Sequence, residues 1–218
     1  MAKIITAAEA ADLIRDGMTL GVSGFGAFAS PDYVMEAMSR KFKEQNTPRD
    51  LTIVSGVAPG DFVEDGCGLS KIRDEGIIKT LIASHLRMSP AIGRACSENK
   101  IAAFSMPLGV YGQLMNAIGG KRPGILTHVG LNTYADPRQD GCKMNALAKA
   151  DGRELVELIH VSGKDYLFYK AFHIDACILH ASYADTEGNI SLQNEPVHGD
   201  LLELALAVHT YRLQANTS

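Results

Sequence analysis

The sequence predicts an α/β domain with a parallel or mostly parallel sheet, followed by a region of antiparallel strands. In the first half of the chain, short apolar runs typical of strands alternate with amphipathic, capped segments typical of helices. Beyond Gly119 the sequence becomes rich in Gly and Pro, and two apolar runs there flank a hairpin-type turn at residues 162–165. With 218 residues, 46% of them hydrophobic, the chain can build one sizeable core.

The first elements set the pattern. Residues 7–16 have helical spacing and are expected to end at Gly17, a residue type that often terminates helices. Residues 18–24 then alternate toward a strand. Ser30 and Pro31 form an N-cap and first-turn pair ahead of the next amphipathic helix. A strand, a glycine turn and a capped helix are therefore expected in succession.

The alternation continues along the chain. The remaining segments predict, in order, strands at 51–56 and 77–85, a capped helix at 89–100, a strand at 101–107, and a buried strand within 173–182 that leads to a turn at 185–189 and a short return strand. The expected fold is more mixed than a simple doubly wound sheet.

Charge and composition exclude several classes of function. The formal net charge is −4, and no Lys/Arg-rich run with interleaved aromatic residues is present, which argues against nucleic acid or an anionic membrane as the main partner. Glu9 and Asp12 interrupt the start of the chain where a secretory signal needs an apolar core. No segment reaches the roughly 18 apolar residues of a membrane span. A cytoplasmic protein is expected.

The four cysteines lie far apart, without the spacing of a metal site or a disulfide framework. Cys96 and Cys177 are interpreted as small buried apolar residues. Cys67 and Cys142 each follow an Asp-Gly pair, and neither has a His or an acid at ligand spacing, so both are assigned structural roles. No metal is expected.

The segment GVSGFGAFASP at residues 21–31 reads G-x-G-x-x-A from Gly24, which raises the question of a dinucleotide site. Such a site needs an acid at the end of the second strand, yet that strand ends at residues 55–56 and the acid nearest in spacing, Glu44, falls on the intervening helix. Two other interpretations stay open. The glycines serve a tight strand-to-helix turn, or N–H groups at the helix start face an anion or a developing oxyanion.

Many separate segments together resemble the N-terminal half of the family I coenzyme A transferases, and in particular the acetate and propionate CoA-transferases that carry both halves on one chain. The segments are SGF at 23–25 with Pro31, PRDLTIVSG at 48–56, KTLIASH at 79–85, PAIGR at 90–94, ENKIAAF at 98–104, PLGV at 107–110, PGILTHVGLNT at 123–133, ADPR at 135–138 and the long run 155–192. The resemblance covers nearly all of residues 3–200. It implies a three-layer α/β/α fold with a mixed, mostly parallel sheet and a β-hairpin region.

The resemblance also implies a reaction. In this family two halves, fused or separate, meet at the active site, and a glutamate of the second half attacks the acyl-CoA thioester in a covalent ping-pong cycle. The chain has no counterpart of that glutamate's motif. Glu98, within Ser-Glu-Asn, is superficially similar to it, but falls in a segment that matches the first half in order and is interpreted as a solvated helix-end acid. No catalytic residue is therefore assigned to this chain, and CoA is expected as substrate rather than as a permanent cofactor.

The first half usually contributes a Pro-Gln-Gly turn whose Gln helps to hold the thioester oxyanion. Here Leu108 stands in the place of that Gln, so the resemblance leaves oxyanion stabilisation to backbone N–H groups such as that of Gly109 or to the missing half. Gly24, Phe25 and Gly26 are the candidates for contacting acyl-CoA.

The C-terminal segment departs from the family pattern. In relatives the helix at 201–209 precedes a glycine turn and a strongly apolar strand, whereas residues 210–218 here are polar and do not alternate. We expect a single first-half domain over residues 1–218 that is truncated after about residue 208. The unfilled sheet position would expose an edge and favour association.

Three hypotheses follow. The leading one is part of a short-chain acyl-CoA:carboxylate CoA-transferase of ketone-body or propionate metabolism, inactive alone and joined to a second half in a homo- or hetero-oligomer. The alternative, motivated by Leu108, is a non-catalytic binding or assembly subunit with a degenerate site. A third, a sugar-phosphate isomerase-like enzyme, needs an acid and a Lys near a phosphate loop, and the sequence offers no such group.

Overall fold

The computed structural model describes residues 2–208 and 211–213. Its first part contains α1 (Ala7–Leu13), β1 (Thr19–Val22), α2 (Asp32–Gln45), β2 (Leu51–Val54), a 3₁₀ turn (Gly68–Ile72), β3 (Ile78–Ala83), α3 (Pro90–Ser97), β4 (Ala102–Ser105) and α4 (Leu108–Gly119). The second part contains β5 (Gly124–Thr127), α5 (Ala146–Ala150), β6 (Val156–Val161), β7 (Lys164–Lys170), β8 (Ala176–Ile178), β9 (Tyr183–Ala184), β10 (Ile190–Ser191), α6 (Leu201–Ala207) and β11 (Tyr211–Leu213).

The main sheet has six strands in the order β11-β8-β1-β2-β3-β4, and every neighbouring pair is parallel. In the centre Leu20 of β1 lies between Ile53 of β2 and Ala176 of β8. Because all strands run the same way, the loops that leave their carboxyl ends meet at one edge of the sheet. We call this the carboxyl edge.

Apolar cores lie on both faces of the sheet. Successive residues of a strand point to opposite faces, so Ile53 packs with α1 and α2 in one core whereas Val54 packs with α4 and α6 in the other. Strands buried on both faces have nearly continuous apolar sequences, as β2 and β3 do. The predicted three-layer α/β/α class is confirmed.

The antiparallel strands form separate sheets. Strands β5, β7 and β6 make a three-stranded sheet, and β9 and β10 make a short pair around the turn at 185–189. The β6–β7 hairpin turns at Ser162 and Gly163, whose φ angles of 52° and 76° are both left-handed, as a two-residue turn of this handedness requires. Both predicted turns are confirmed.

Two predicted helix boundaries are wrong. Helix α1 ends at Leu13 because Ile14 becomes extended and buries its side chain in the core, so Gly17 lies beyond the helix end. The N-cap of α2 is Pro31 rather than Ser30. The left-handed φ of 53° at Ala29 turns the chain just before Ser30, which moves the helix start one residue along.

The C-terminal expectation is also corrected in part. Residues Tyr211–Leu213 form β11 and pair in parallel with β8, so the sheet position beside β8 is filled. Backbone pairing does not depend on side-chain type, and three residues are too few to display an alternating pattern. Residues 209–210 and 214–218, to which the same expectation applied, lie outside the described residues.

None of the helices in residues 2–208 is both long and apolar enough to cross a membrane.

Candidate functional site

Both groups of predicted contact residues lie at the carboxyl edge. Gly24, Phe25 and Gly26 follow β1, and Leu108 and Gly109 follow β4. Strands β2 and β3 separate β1 from β4, which at ordinary strand spacing places the ends of β1 and β4 about 14 Å apart. The structure thus places both groups at one edge of the sheet.

The turn after β1 is a tight hairpin. The backbone N–H groups of Phe25 and Phe28 each donate to the other's carbonyl, at 3.0 and 3.1 Å. Gly24 and Gly26 have φ angles of 136° and 62°, which side chains rarely tolerate. The Gly60 N–H donates to the Gly26 carbonyl at 2.9 Å and fixes the turn against the loop after β2.

The same turn presents two exposed aromatic rings on a fixed base. Phe25 and Phe28 are 41% and 52% exposed. Below them the buried Ser23 hydroxyl donates to the Ala29 carbonyl at 3.0 Å and accepts the His180 backbone N–H at 3.2 Å. The rings therefore stand on a turn that is anchored to both β1 and the segment after β8.

The start of α4 offers backbone donors. Pro107 precedes the helix and has no side-chain acceptor with which to cap it. The first N–H groups of a helix lack intrahelical partners and carry its positive dipole end, which suits a developing oxyanion. Leu108 is 48% exposed, and a Cβ placed on Gly109 would meet no atom within 4 Å, so open space borders these donors.

A carboxylate that the sequence did not single out joins the segments at this edge. Asp200 Oδ2 accepts hydrogen bonds from the Gly56 N–H at 2.8 Å and the Tyr111 hydroxyl at 2.9 Å. Gly56 follows β2, and Tyr111 belongs to the first turn of α4. An Asp that directly precedes an apolar helical run is ordinarily interpreted as a helix cap, so this role could not be predicted from local sequence.

The two acids weighed from the sequence lie elsewhere. Glu44 sits in the last turn of α2, and Glu98 is the C-cap of α3, so both lie toward the amino edge of the sheet. The Glu98 carboxylate pairs with Lys100 at 3.4 Å and is 49% exposed. This position agrees with a solvated helix-end acid.

Asp136 and Arg138 serve a structural loop. Asp136 is fully buried and accepts the backbone N–H groups of Asn132 and Arg138 together with the Arg138 guanidinium. The guanidinium, followed by the backbone donors, holds the pKa of Asp136 well below its usual range despite burial.

The cysteines are free thiols, and within residues 2–208 no cluster of three or more His, Cys, Asp or Glu side chains could hold a metal ion. Burial, aided by the charges of Asp32 and Asp61, raises the pKa of Cys67 to about 11. Burial raises the pKa of Cys96 and of Cys142 to about 12.

Cys67, although partly exposed, is expected to alkylate slowly. Since the thiolate is the nucleophile, iodoacetamide at pH 8 should label it at least about tenfold more slowly than free cysteine, and labelling should rise steeply toward pH 10. Mass spectrometry of timed samples measures the labelling rate. Loss of the label in Cys67→Ala assigns that rate to Cys67. Rapid labelling of Cys67 at pH 7 would contradict the raised pKa.

Gly24→Ala is expected to disturb the turn. A Cβ there would lie 2.9 Å from Pro59 Cβ, and the φ of 136° is strained for alanine. Gly17→Ala is a matched control, because Gly17 also has a positive φ of 74° but a Cβ there would meet nothing within 4 Å. Urea denaturation should show a free energy of unfolding about 2 kcal/mol lower for Gly24→Ala and a clearly smaller loss for Gly17→Ala. Equal stabilities of the two variants would contradict a constrained turn at Gly24.

Comparison with known proteins identifies the relatives of the chain. The family model described as Coenzyme A transferase matches residues 4–215. Caffeate CoA-transferase of Acetobacterium woodii is 41% identical over 207 residues, which are 95% of this chain and 38% of that protein. Acetate CoA-transferase subunit alpha of Escherichia coli K12 is 26% identical over 191 residues, which are 88% of this chain and 75% of that subunit.

A solved structure of a CoA-transferase is also similar to this chain. The acyl-CoA transferase YdiF apoenzyme of Escherichia coli O157:H7 superposes with a TM-score of 0.87 at 34% identity, covering 94% of this chain and 39% of that one. The chain thus spans about two fifths of the length of caffeate CoA-transferase and of YdiF, and three quarters of the alpha subunit.

Proposed function

The chain belongs to the coenzyme A transferase family, and we propose that it is the first half, of alpha-subunit type, of an acyl-CoA:carboxylate CoA-transferase. One observation carries the proposal: the similarity to caffeate CoA-transferase covers 95% of this chain yet only 38% of that protein. The remaining part of such a relative corresponds to a second half. We propose that this second half is the partner of the chain and supplies the nucleophilic glutamate.

The proposed cycle conserves the thioester bond energy through covalent steps. The glutamate carboxylate attacks the acyl carbonyl, the C–S bond breaks, and CoA leaves as thiolate from an acyl-glutamyl anhydride. The thiolate then attacks the glutamyl carbonyl of the anhydride, which releases the donor carboxylate and leaves a glutamyl-CoA thioester. An acceptor carboxylate reverses these two steps and departs as acyl-CoA.

In this cycle the present chain binds acyl-CoA and orients its thioester for attack by the glutamate of the second half. The exposed turn with Gly24, Phe25 and Gly26 contacts acyl-CoA, and the N–H of Gly109 at the positive end of α4 faces the thioester oxyanion. Leu108 adds apolar surface and no hydrogen-bond donor. The site residues of this chain therefore stabilise charge only through backbone groups.

We propose short-chain carboxylates as the substrate class, as in propionate or ketone-body metabolism in the cytoplasm, within a homo- or hetero-oligomer. Two named relatives transfer CoA to or from acetate and caffeate, so the family accommodates acids of different size. CoA enters and leaves as a substrate in each turnover.

The proposal is tested by complementation. The part of the Acetobacterium woodii caffeate CoA-transferase that this chain does not match is produced as a separate polypeptide, and co-elution on gel filtration reports its association with the chain. CoA transfer from acetyl-CoA to propionate and to caffeate is then followed for each polypeptide and for the mixture. Transfer by the mixture alone supports the proposal. Transfer at an ordinary enzyme rate by the present chain alone would overturn it, as would failure of the two parts to associate.

Leu108 favours a second candidate, a binding or assembly subunit that keeps the fold but has lost part of the chemistry. Its exposed side chain has no donor at the position where the family usually places one. This candidate predicts association with a second half but little transfer until the donor is restored.

A further inference from the structure

The carboxyl edge contains a buried junction that neither the family assignment nor the proposed cycle explains. Asp200 precedes α6 at its N-cap position, yet its carboxylate reaches across to the sheet. Oδ2 accepts the Gly56 N–H at 2.8 Å and the Tyr111 hydroxyl at 2.9 Å, and Oδ1 is buried as well. The backbone N–H of Gly24 also lowers the pKa of this carboxylate.

The junction is closely packed. Tyr111 is only 1% exposed, and a Cβ placed on Gly56 would lie 3.0 Å from Asp200 Oδ2 and 3.2 Å from Tyr111 Cε1. Glycine at position 56 thus allows the carboxylate to approach the backbone. Because Gly56 and Tyr111 pack against the carboxylate in the interior, replacing the carboxylate would alter the packing and hydrogen bonds of both.

Its hydrogen-bond donors lie on two segments of the carboxyl edge, and a third segment, the acyl-CoA turn, is joined to one of them. Gly24 opens the turn after β1, Gly56 follows β2, and Tyr111 lies three residues beyond Leu108 in the first turn of α4. The carboxylate accepts one hydrogen bond from the loop after β2 and one from α4, and the Gly60 N–H of the same loop donates to the Gly26 carbonyl of the acyl-CoA turn at 2.9 Å. These bonds connect the acyl-CoA turn to the first turn of α4 through the loop after β2.

The pKa shifts of Asp200 and Tyr111 reflect their burial and the hydrogen bond between them. Burial raises the pKa of Asp200, and its hydrogen bonds from Gly56 and Tyr111 oppose that effect. Burial and the neighbouring carboxylate raise the pKa of Tyr111, so its hydroxyl keeps its proton and donates.

We propose that Asp200 is a positioning residue. Through Gly56 and Tyr111 it holds the first turn of α4 against the loop after β2, and the Gly60–Gly26 hydrogen bond of that loop extends this hold to the acyl-CoA turn. The inference deepens the proposed function and rests on it for its catalytic consequence. The structural consequence is independent of CoA chemistry.

The first measurement is hydrogen exchange on the chain without CoA. In Asp200→Asn the amides of Phe25, Phe28 and Gly60, which close and anchor the turn, should exchange about tenfold faster than in the wild type. The β6–β7 hairpin should be unchanged. Tyr111→Phe, which keeps the carboxylate and loses one donor, should show a smaller increase of about threefold.

The matched control is Asp185→Asn. Asp185 also accepts backbone N–H groups, those of Glu187 and Asn189, but it lies in an exposed turn and bonds to neither Gly56 nor Tyr111. Its replacement should leave the exchange of Phe25, Phe28 and Gly60 unchanged. An equal increase in this control, or a uniform increase over the whole chain in Asp200→Asn, would overturn the positioning role, as would wild-type exchange of the three amides in both Asp200→Asn and Tyr111→Phe.

The second measurement is transfer by the complex with a second half. Misplaced α4 donors should lower kcat about tenfold in Asp200→Ala, whereas Asp200→Asn, which retains an acceptor oxygen, should recover part of the loss. Unaltered kcat and KM in Asp200→Ala would overturn the catalytic consequence. If the wild-type complex transfers no CoA, the proposed function fails, while the exchange data still decide the positioning role.

Discussion

Leu108→Gln is expected to raise the rate of CoA transfer by the complex with a second half about 100-fold. An oxyanion donor contributes roughly this factor when it is present in an acyl-transfer site. Leu108 is the first residue of α4 and is 48% exposed, so an amide of similar size fits there without repacking a core. The measurement compares kcat and KM of the two complexes, and the gain should appear in kcat.

Leu108→Met is the control, since methionine matches glutamine in length and lacks a strong donor. It should transfer CoA at the rate of the unmodified chain. A large gain with glutamine alone identifies a transferase site that works below the rate a full set of donors allows. Only if the unmodified complex also transfers no CoA would the gain favour the binding-subunit candidate. No gain would mean that backbone groups or the second half already hold the oxyanion, and that Leu108 does not limit the rate of CoA transfer.

Asp136→Ala is expected to lower the free energy of unfolding by about 3 kcal/mol. Breaking a buried charge pair leaves donors without their acceptor, and the half-exposed Arg138 can turn to water, which places the loss at the low end of the usual range. Asp136 is 0% exposed and accepts the Arg138 Nη2 at 2.7 Å and the Asn132 N–H at 2.8 Å. Urea denaturation of both proteins measures the difference.

The lowered pKa of Asp136 also predicts how the stability it contributes depends on pH. The Arg138 guanidinium holds the pKa of Asp136 below its usual range, so the folded state favours the charged form. The stability it contributes is fully present above the unfolded pKa of about 4 and is lost as the pH falls toward the lower folded pKa. The difference between wild type and Asp136→Ala should therefore shrink below about pH 4. A constant difference down to pH 2 would contradict the ionic origin.

A surface pair provides the matched comparison. Asp65 contacts Arg73 at 2.7 Å, but its side chain is 72% exposed. Water screens such a pair, so Asp65→Ala should leave the free energy of unfolding nearly unchanged. Equal losses for the two variants would show that burial is not the source of the Asp136 effect.

The parallel sheet was predictable because its strands are buried on both faces. The run that forms β2 is apolar apart from Thr52, and β3 ends in three apolar residues, Leu81 to Ala83; such short runs between turn signals are typical of buried strands. The β6–β7 turn was predictable because Gly163 tolerates the left-handed conformation. These features depend on local chemistry alone.

Other features depend on distant contacts. Helix α1 stops at Leu13 because Ile14 finds a place in the core, and its own sequence continues to favour a helix. The partners of Asp200 are distant in the chain, since Gly56 lies 144 residues and Tyr111 89 residues away. A lone Asp before a helix therefore gave no local sign of a junction.

The candidate site also combines features that local sequence predicts with features that distant contacts determine. Gly24 and Gly26 could be placed in a strand-to-helix turn because their spacing after an apolar run requires one, and Leu108 stood out through the family resemblance. Their positions three strands apart on one edge followed only from the strand order β1-β2-β3-β4. Strand order is set by pairing between distant segments, which periodicity does not encode.

The central claim is a division of labour in which this chain binds and positions while a second half forms the covalent bond. The most direct test is to incubate the complex with acyl-CoA, without an acceptor acid, and to measure the mass of each polypeptide. The account predicts that the second half alone gains the mass of CoA, as a glutamyl thioester that borohydride removes by reduction. CoA attached to the present chain would contradict the account.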